Sequence, residues 1–491
     1  GSITTNPEEV DAISRRAWQA IYDGNATCNQ STVDAFIKKY SSYIFRAPPV
    51  QLEPISMEKV RGVCTHGKKT AAGMDGWEPA ETALLSDSLY KRIADMFNLI
   101  EQGAAWPDAT MHARAAYLAK DPSKSDDPLA YRVLMILSTY YRKYMTLRNQ
   151  SMQPWMDGWI LPEMFAVGSN GAEDAWYEFS ADIESWDLNG VEYAGGTVDI
   201  AKCFDQIIRE LVYKLAAIGG MPPQVLDAYR RFQEALIIHN TVAGGIGKGF
   251  KRRCGIPQGC PLSMAMTALI MRPWVLKARE CGATPRILAD DIMVVASGRG
   301  MLRRFASTLT MTHHYLVDMG AKIAEGKSMN FASNSGARKW LGNTAWPLAG
   351  GEVKVVEHMR YLGGHISTTI RRHADTLRGR CIKGVCMADS TAKLPVPRDR
   401  RAAIIRGKVL RAAMYGIEGA EYNESDYSAL TAAILRALTN GAAKKDLDFS
   451  FTSLSFGTDL DPVVQAVVQR VMALRRTLAK RPHRQAKYKE M

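Results

Sequence analysis

The sequence predicts an α+β fold, with short strands and a hairpin held inside a largely helical chain. Two observations carry this. Residues 181–335 alternate short apolar strands with amphipathic helices, whereas the flanking stretches follow helical periodicity. Within the alternating region, the run Ile287-Leu288-Ala289-Asp290-Asp291-Ile292-Met293-Val294-Val295 reads as a buried hairpin with two carboxylates at its turn. Burying one ionised carboxylate is costly and burying two side by side is worse, so the pair predicts a divalent cation.

Bulk properties narrow the function classes. A chain of 491 residues predicts roughly three domains. With 46% hydrophobic and 23% charged residues it reads as an ordinary globular protein that needs no staples. No apolar run of about 18 residues occurs, which predicts no membrane span. The polar start Gly1-Ser2-Ile3-Thr4-Thr5 predicts no secretory signal, and its Gly-Ser reads as a cloning remnant. A net charge of +13 favours a polyanionic partner, and a merely basic globular protein accounts for it as well. The eight cysteines are mostly far apart, which predicts a reducing compartment rather than a secreted disulfide framework. Neither close pair, Cys254/Cys260 nor Cys381/Cys386, is followed by ligands at zinc spacing.

The elements follow in order. Residues 8–22 carry Val10, Ile13, Trp18 and Ile21 near helical spacing, and 29–43 read as a second helix before the proline-containing 47–50. Residues 60–180 alternate helices with short loops. Residues 196–200 form a strand that runs into one helix with Phe204, Ile207, Ile208, Leu211, Val212 and Leu215 on its apolar face. Asp199 ends that strand, where functional side chains are commonly presented, though taken alone a helix N-cap is its more ordinary explanation. Gly244-Gly245-Ile246-Gly247-Lys248-Gly249 mimics a phosphate loop but lacks its spacing and its Ser/Thr, so it reads as a hairpin turn. Gly255-Ile256-Pro257-Gln258-Gly259-Cys260-Pro261-Leu262-Ser263 reads as a loop opening a helix, with backbone N–H groups suited to phosphate or sugar. Residues 333–352, rich in Gly, Asn and Ser, read as a linker. Beyond Ser367 the chain reads as helical. A basic amphipathic helix covers 398–414, and a helix opened by Asp461-Pro462 carries Val463, Val464, Val467, Val468, Val471 and Leu474 as a core stripe. Residues 480–489 read as a basic tail.

Taken in order, Val198-Asp199-Ile200-Ala201-Lys202-Cys203-Phe204-Asp205, the Gly255–Ser263 loop and Leu288-Ala289-Asp290-Asp291 resemble motifs A, B and C of reverse transcriptases. Gly320-Ala321-Lys322-Ile323-Ala324-Glu325-Gly326-Lys327-Ser328 is similar to motif D, and His358-Met359-Arg360-Tyr361-Leu362-Gly363-Gly364 to motif E. Ala72-Gly73-Met74-Asp75-Gly76-Trp77, the Lys120 and Tyr131-Arg132 pattern, and Ala413-Met414-Tyr415-Gly416-Ile417-Glu418 resemble the non-LTR retrotransposon and group II intron lineage. Each motif alone is weak; five in order are specific. Two departures stand out. Leu288 occupies a position where the family usually has an aromatic, and Glu163-Met164-Phe165-Ala166 is a degraded form of its Gln-x-Gly-Phe element.

The resemblance implies a right-hand polymerase: a helical extension over 1–60, fingers over 61–180, a palm over 181–365 and a helical thumb with a basic tail over 366–491. It implies RNA-templated DNA synthesis on a primer of DNA or RNA with dNTPs. Asp199, Asp290, Asp291 and the Ile200 backbone would hold two Mg²⁺ ions, with Mn²⁺ as a substitute. Lys327 would donate a proton near the leaving pyrophosphate. Lys120 and Arg132 would hold the triphosphate, Gln258 the incoming nucleotide, and Phe204 would exclude a ribose 2′-OH. Tyr361, Leu362 and Gly363 would grip the primer, and helix 398–414 would track the duplex. Three alternatives share this framework: an RNA-dependent RNA polymerase, a non-catalytic RNA-binding scaffold, and a maturase.

Overall fold

The computed structural model describes residues 4–25, 30–67, 69–120, 123, 126–324, 326–369, 374–420, 424–439, 446–453 and 457–490. Its central sheet has five strands in the order Lys354–Val355, Met329–Ala332, Tyr193–Val198, Asp291–Ser297, Thr284–Leu288. The first pair is parallel and the remaining pairs are antiparallel. Both faces are covered. Ile292, Val294 and Ala296 join the largest core with Leu211, Trp274, Phe305 and Leu309. Met293 and Val295 point the other way, onto Trp176, Phe179, Ile183 and Phe331. A strand packed on both faces has no polar side to show, which is why the sequence runs apolar without alternation. Each large side chain so buried contributes roughly 1.5–3 kcal/mol.

A second sheet pairs Tyr131–Ile136 with His112–Ala119, which runs parallel to Ile237–Val242. The hairpin turn predicted over 244–249 lies at Ala243-Gly244, with Val242 opposite Gly245 and Gly245–Ile246 as the return strand. The N-terminal helix Pro7–Tyr22 and its successor Gln30–Lys39 bury Trp18, Tyr22, Val33 and Phe36 in the same continuous core. A separate core joins the helices Asp375–Ala392, Arg398–Ile404, Leu410–Met414 and Glu424–Leu438 through Cys381, Val409, Leu410, Leu430 and Ile434. The predicted helix over 398–414 is present with one π-helical turn at Ile405–Val409. Ile405, Val409, Leu410 and Ala413 face inward, while Arg406, Lys408 and Arg411 are exposed.

Four expectations need correction. The stretch 333–352 is not a linker: it holds the helix Ser335–Gly342 and buries Leu341, Trp346 and Ala349. The helix after Asp199 is broken at Ile207-Ile208 into Cys203–Gln206 and Arg209–Ile218. In the helix Pro462–Lys480 the valine stripe is not core. Val467 and Val471 are each 58% exposed, and the inward positions are Ala466, Ala473 and Thr477. Small residues let this helix approach its neighbours closely, which rotates its bulkier stripe outward.

The stretch 60–180 is the fourth: besides helices it holds the strands His112–Ala119 and Tyr131–Ile136. The basic tail packs back onto the chain. Its charges are engaged by the acidic face of the helix Ala172–Leu188. Lys480 lies 2.7 Å from Asp174, Arg481 3.2 Å from Glu178, and Arg484 3.1 Å from both Glu178 and Asp182. Lys487 completes the ladder 2.5 Å from Asp182. Both partners recur at about one helical turn, so the two charge rows keep register.

Burial, with a smaller effect of His314, pushes the ring of His313 down to about 4. It packs edge-on to Trp346. The unfolded chain therefore binds this proton more readily than the native chain does. Its share of stability is full above about pH 6.5 and is lost as pH falls towards 4, with about 2 kcal/mol gone by pH 5. Urea unfolding at pH 7 and pH 5 is expected to show that difference, and His313→Gln to reduce it. An unchanged pH slope in the variant would refute the assignment.

Candidate active site

The carboxylate hairpin is closed by Ala289, which takes a left-handed φ of 58° between Leu288 and Asp290. Leu288 stands opposite Asp291, and Val198 opposite Ile292. Continuing that antiparallel register by one residue places Asp199 across from Asp291. Asp199 lies at a bend between the long strand Tyr193–Val198 and the short strand Ile200–Ala201. The short strand pairs with Lys322–Ile323, and the Ala324 N–H donates to the Asp199 carbonyl at 2.9 Å. The backbone of Asp199 is thus held from both sides.

The apolar strands are buried as expected, but the carboxylates are not sealed in with them. Asp199 and Asp290 line an open cleft, and Asp291 keeps a solvent-exposed side. Even so, the surrounding protein and the neighbouring carboxylates Asp290 and Asp199 push the Asp291 carboxyl up to about 6. Burial and Asp199 also raise Asp290, against the opposing pull of Lys120 and Arg132. Cys203 beneath them is raised by burial and by the same negative field. Two carboxylates whose charge is disfavoured by burial and by acidic neighbours form a site that gains from a cation. Lys327 supplies one charge, 3.5 Å from Asp199. Among the described residues no group of three His, Cys, Asp or Glu side chains is close enough to hold a metal alone. An all-oxygen donor set of one or two carboxylates completed by water and phosphate is the usual arrangement for Mg²⁺, and these residues fit it.

The cleft encloses about 520 Å³ and brings together Lys120, Arg132, Asp199, Ile200, Phe204, Gln258, Asp290 and Lys327. Gln258 is fixed at both ends. Its side-chain amide donates to Asp205 at 3.2 Å, and its carbonyl accepts from the Met135 N–H at 2.9 Å. That second bond ties the loop to the strand bearing Arg132. Gly259 makes the approach possible: at φ 137° a Cβ there would lie 2.3 Å from the Met135 carbonyl oxygen.

Tyr361, Leu362 and Gly363 stand apart from this cleft, at the turn of the hairpin formed by His358–Tyr361 and Gly364–Ser367. Tyr361 is buried edge-on against Phe179, so it supports the turn from below. The Tyr415 hydroxyl donates to the Leu362 carbonyl at 3.2 Å, linking this hairpin to the C-terminal helices. The Glu163–Phe165 segment pairs with the carboxylate hairpin: the Phe165 N–H donates to the Ile287 carbonyl at 2.8 Å, and the Ile287 N–H to the Glu163 carbonyl at 3.0 Å.

Among the lining residues with no role assigned from the sequence, Asp205, Lys202 and Trp18 carry polar groups or a large ring. Burial, outweighing Arg252, Lys202 and the Gln258 bond, pushes the Asp205 carboxyl up to about 6. Burial and Lys120 push the Lys202 ammonium down to about 8. A charged residue beside an apolar helix face was the available signal for both. Trp18, about 180 residues upstream of Asp199, gave none.

No helix among the described residues is long and apolar enough to cross a membrane. A family model described as "Reverse transcriptase (RNA-dependent DNA polymerase)" matches residues 121–366, half of the chain. The match takes in Arg132, Asp199, Phe204, Gln258, Asp290, Asp291, Lys327 and Tyr361, and the mixed helix-and-sheet architecture is consistent with it. The chain belongs to the reverse transcriptase (RNA-dependent DNA polymerase) family.

Proposed function

We propose that this protein extends a DNA or RNA primer on an RNA template with dNTPs, through two Mg²⁺ ions, as a polymerase of retroelement origin in the non-LTR and group II intron lineage. The carrying observation is the single cleft that gathers Asp199 and Asp290 with Lys120, Arg132, Gln258 and Lys327. Carboxylates on one side and fixed cations on the other match a metal-bound triphosphate.

Asp199, Asp290, Asp291 and the Ile200 carbonyl would hold the ions. Bound there, Mg²⁺ or Mn²⁺ supplies Lewis-acid activation of the primer 3′-hydroxyl and charge neutralisation at the phosphates. Lys120 and Arg132 pair with the triphosphate oxygens. Lys327 donates a proton at the leaving pyrophosphate oxygen. Phe204 lies in the cleft wall, where its ring meets the sugar edge and excludes a 2′-OH. On this reading residues 1–60 are a helical extension, 61–180 the fingers, 181–365 the palm and 366–491 the thumb. The exposed Lys408 and Arg411 track the duplex backbone, and the turn at Leu362-Gly363 meets the primer. We place the protein inside the cell, in nucleus or cytoplasm.

The test is extension of a primed RNA template with Mg²⁺ and either dNTPs or rNTPs. Incorporation of dNTPs is expected, and exclusive use of rNTPs would favour an RNA-dependent RNA polymerase instead. Phe204→Ala is expected to weaken discrimination against rNTPs at least about tenfold, because a steric exclusion worth a few kcal/mol is removed. Unchanged discrimination would take Phe204 out of the gate.

A further inference from the structure

Lys202 is three residues downstream of Asp199, yet its side chain reaches the turn and strand that lead to Arg132. Its backbone takes a left-handed φ of 49°, a conformation that residues other than Gly, Asn and Asp rarely adopt. A glycine would adopt that turn without strain, so the side chain has to offset a cost. Its ammonium donates to the Leu129 carbonyl at 2.6 Å and to the Tyr131 carbonyl at 3.0 Å. It also lies 4.4 Å from the centre of the Trp18 ring. Trp18 in turn donates from its indole N–H to the Pro128 carbonyl at 3.1 Å. Three carbonyls just ahead of Arg132 are therefore held by one ammonium and one indole. On the far side of Arg132, the Met135 N–H donates to the Gln258 carbonyl at 2.9 Å. The strand bearing Arg132 is thus bracketed by two ties, one to the Asp199 segment and one to the Gln258 loop.

We propose that Lys202, with Trp18, is a positioning residue that pins the Arg132 strand to the Asp199 segment and so sets the spacing between the cationic and the carboxylate walls of the cleft. The consequence for nucleotides rests on the polymerase reading; the latch itself does not. A hydrogen-bonded ammonium suits this task. Charge-assisted bonds to two carbonyls are stronger than neutral ones, and the aromatic face shields them from water. Lys202→Met keeps the length and packing of the stem and removes the donors.

Two readouts test this. Hydrogen exchange over residues 126–136 is expected to rise about tenfold in Lys202→Met, since two charge-assisted bonds are lost. In primer extension the dNTP KM is expected to rise about tenfold, with kcat changed less than about threefold. Trp18→Phe removes the indole donor without altering charge and is expected to move both readouts in the same direction by a smaller factor. Lys202→Arg, which keeps a donor able to reach both carbonyls, is expected to restore most of the protection. Unchanged exchange in Lys202→Met and in Trp18→Phe would overturn the latch. A raised KM with unchanged exchange would overturn it too, because the ammonium would then act on the triphosphate through space. Raised exchange with an unaltered KM would overturn its role in positioning. If the unaltered chain extends no primer, the polymerase reading fails while the exchange comparison still decides the latch.

Discussion

Replacing Asp290 with Asn is expected to reduce primer extension at least about 10³-fold, equivalent to about 4 kcal/mol of transition-state stabilisation. The change is close to isosteric and removes one anionic oxygen donor from the cleft. Asp199→Asn is expected to do the same, and it also takes away the carboxylate that Lys327 faces at 3.5 Å. Neither change should unfold the protein. Asp290 and Asp291 are both raised by burial and by neighbouring carboxylates, so neutralising one relieves repulsion that the native fold tolerates. Melting temperature and template–primer affinity, read by fluorescence anisotropy, are therefore expected to hold while extension collapses. Extension near the unaltered rate in Asp290→Asn would remove that residue from the proposed metal site. Loss of extension accompanied by a lower melting temperature would point to a structural role instead.

The second large effect concerns Asp182, outside the cleft. Its carboxylate is buried among Arg286, Arg484 and Lys487. Burial opposes its charge, but these three cations outweigh burial and hold the carboxyl below its ordinary range. Arg286 is itself buried on the strand Thr284–Leu288 that leads into the carboxylate turn, with its guanidinium over the Phe179 ring. Asp182→Ala strands that guanidinium without its carboxylate partner. Breaking a buried pair from one side typically costs about 3–5 kcal/mol, whereas Lys487→Ala, which takes away a more exposed partner, should cost about 1 kcal/mol or less. Urea denaturation measures both. A cost below about 1 kcal/mol for Asp182→Ala would show that the ladder is ornamental to stability.

That ladder also shows where reading the chain in one dimension stopped. Arg481, Arg484 and Lys487 were legible as a basic cluster in a chain whose net charge favours a polyanionic partner. Their actual partners, Glu178 and Asp182, lie some 300 residues upstream on one helical face. The valines at 463–471 misled for a related reason. Their spacing marks an amphipathic helix, but periodicity does not say which face meets the protein. The decision fell to Ala466, Ala473 and Thr477, small enough for close packing. The two-sided burial of Ile292 to Ala296 was legible, because a run without alternation has only one such explanation at strand length.

The sequence by itself determined the make-up of the candidate site: which carboxylates, which loop and which hairpins occur, and in what order. Catalytic geometry built from strand ends and tight turns depends on residue types a few positions apart, and that information is local. Tertiary structure alone decided which charges remain free for a substrate and which are consumed within the fold. It brought Trp18 and Lys202 to the carbonyls beside Arg132, and Arg484 to Asp182. Those pairings follow from how helices pack around a shared core, which depends on shape and volume summed over distant segments.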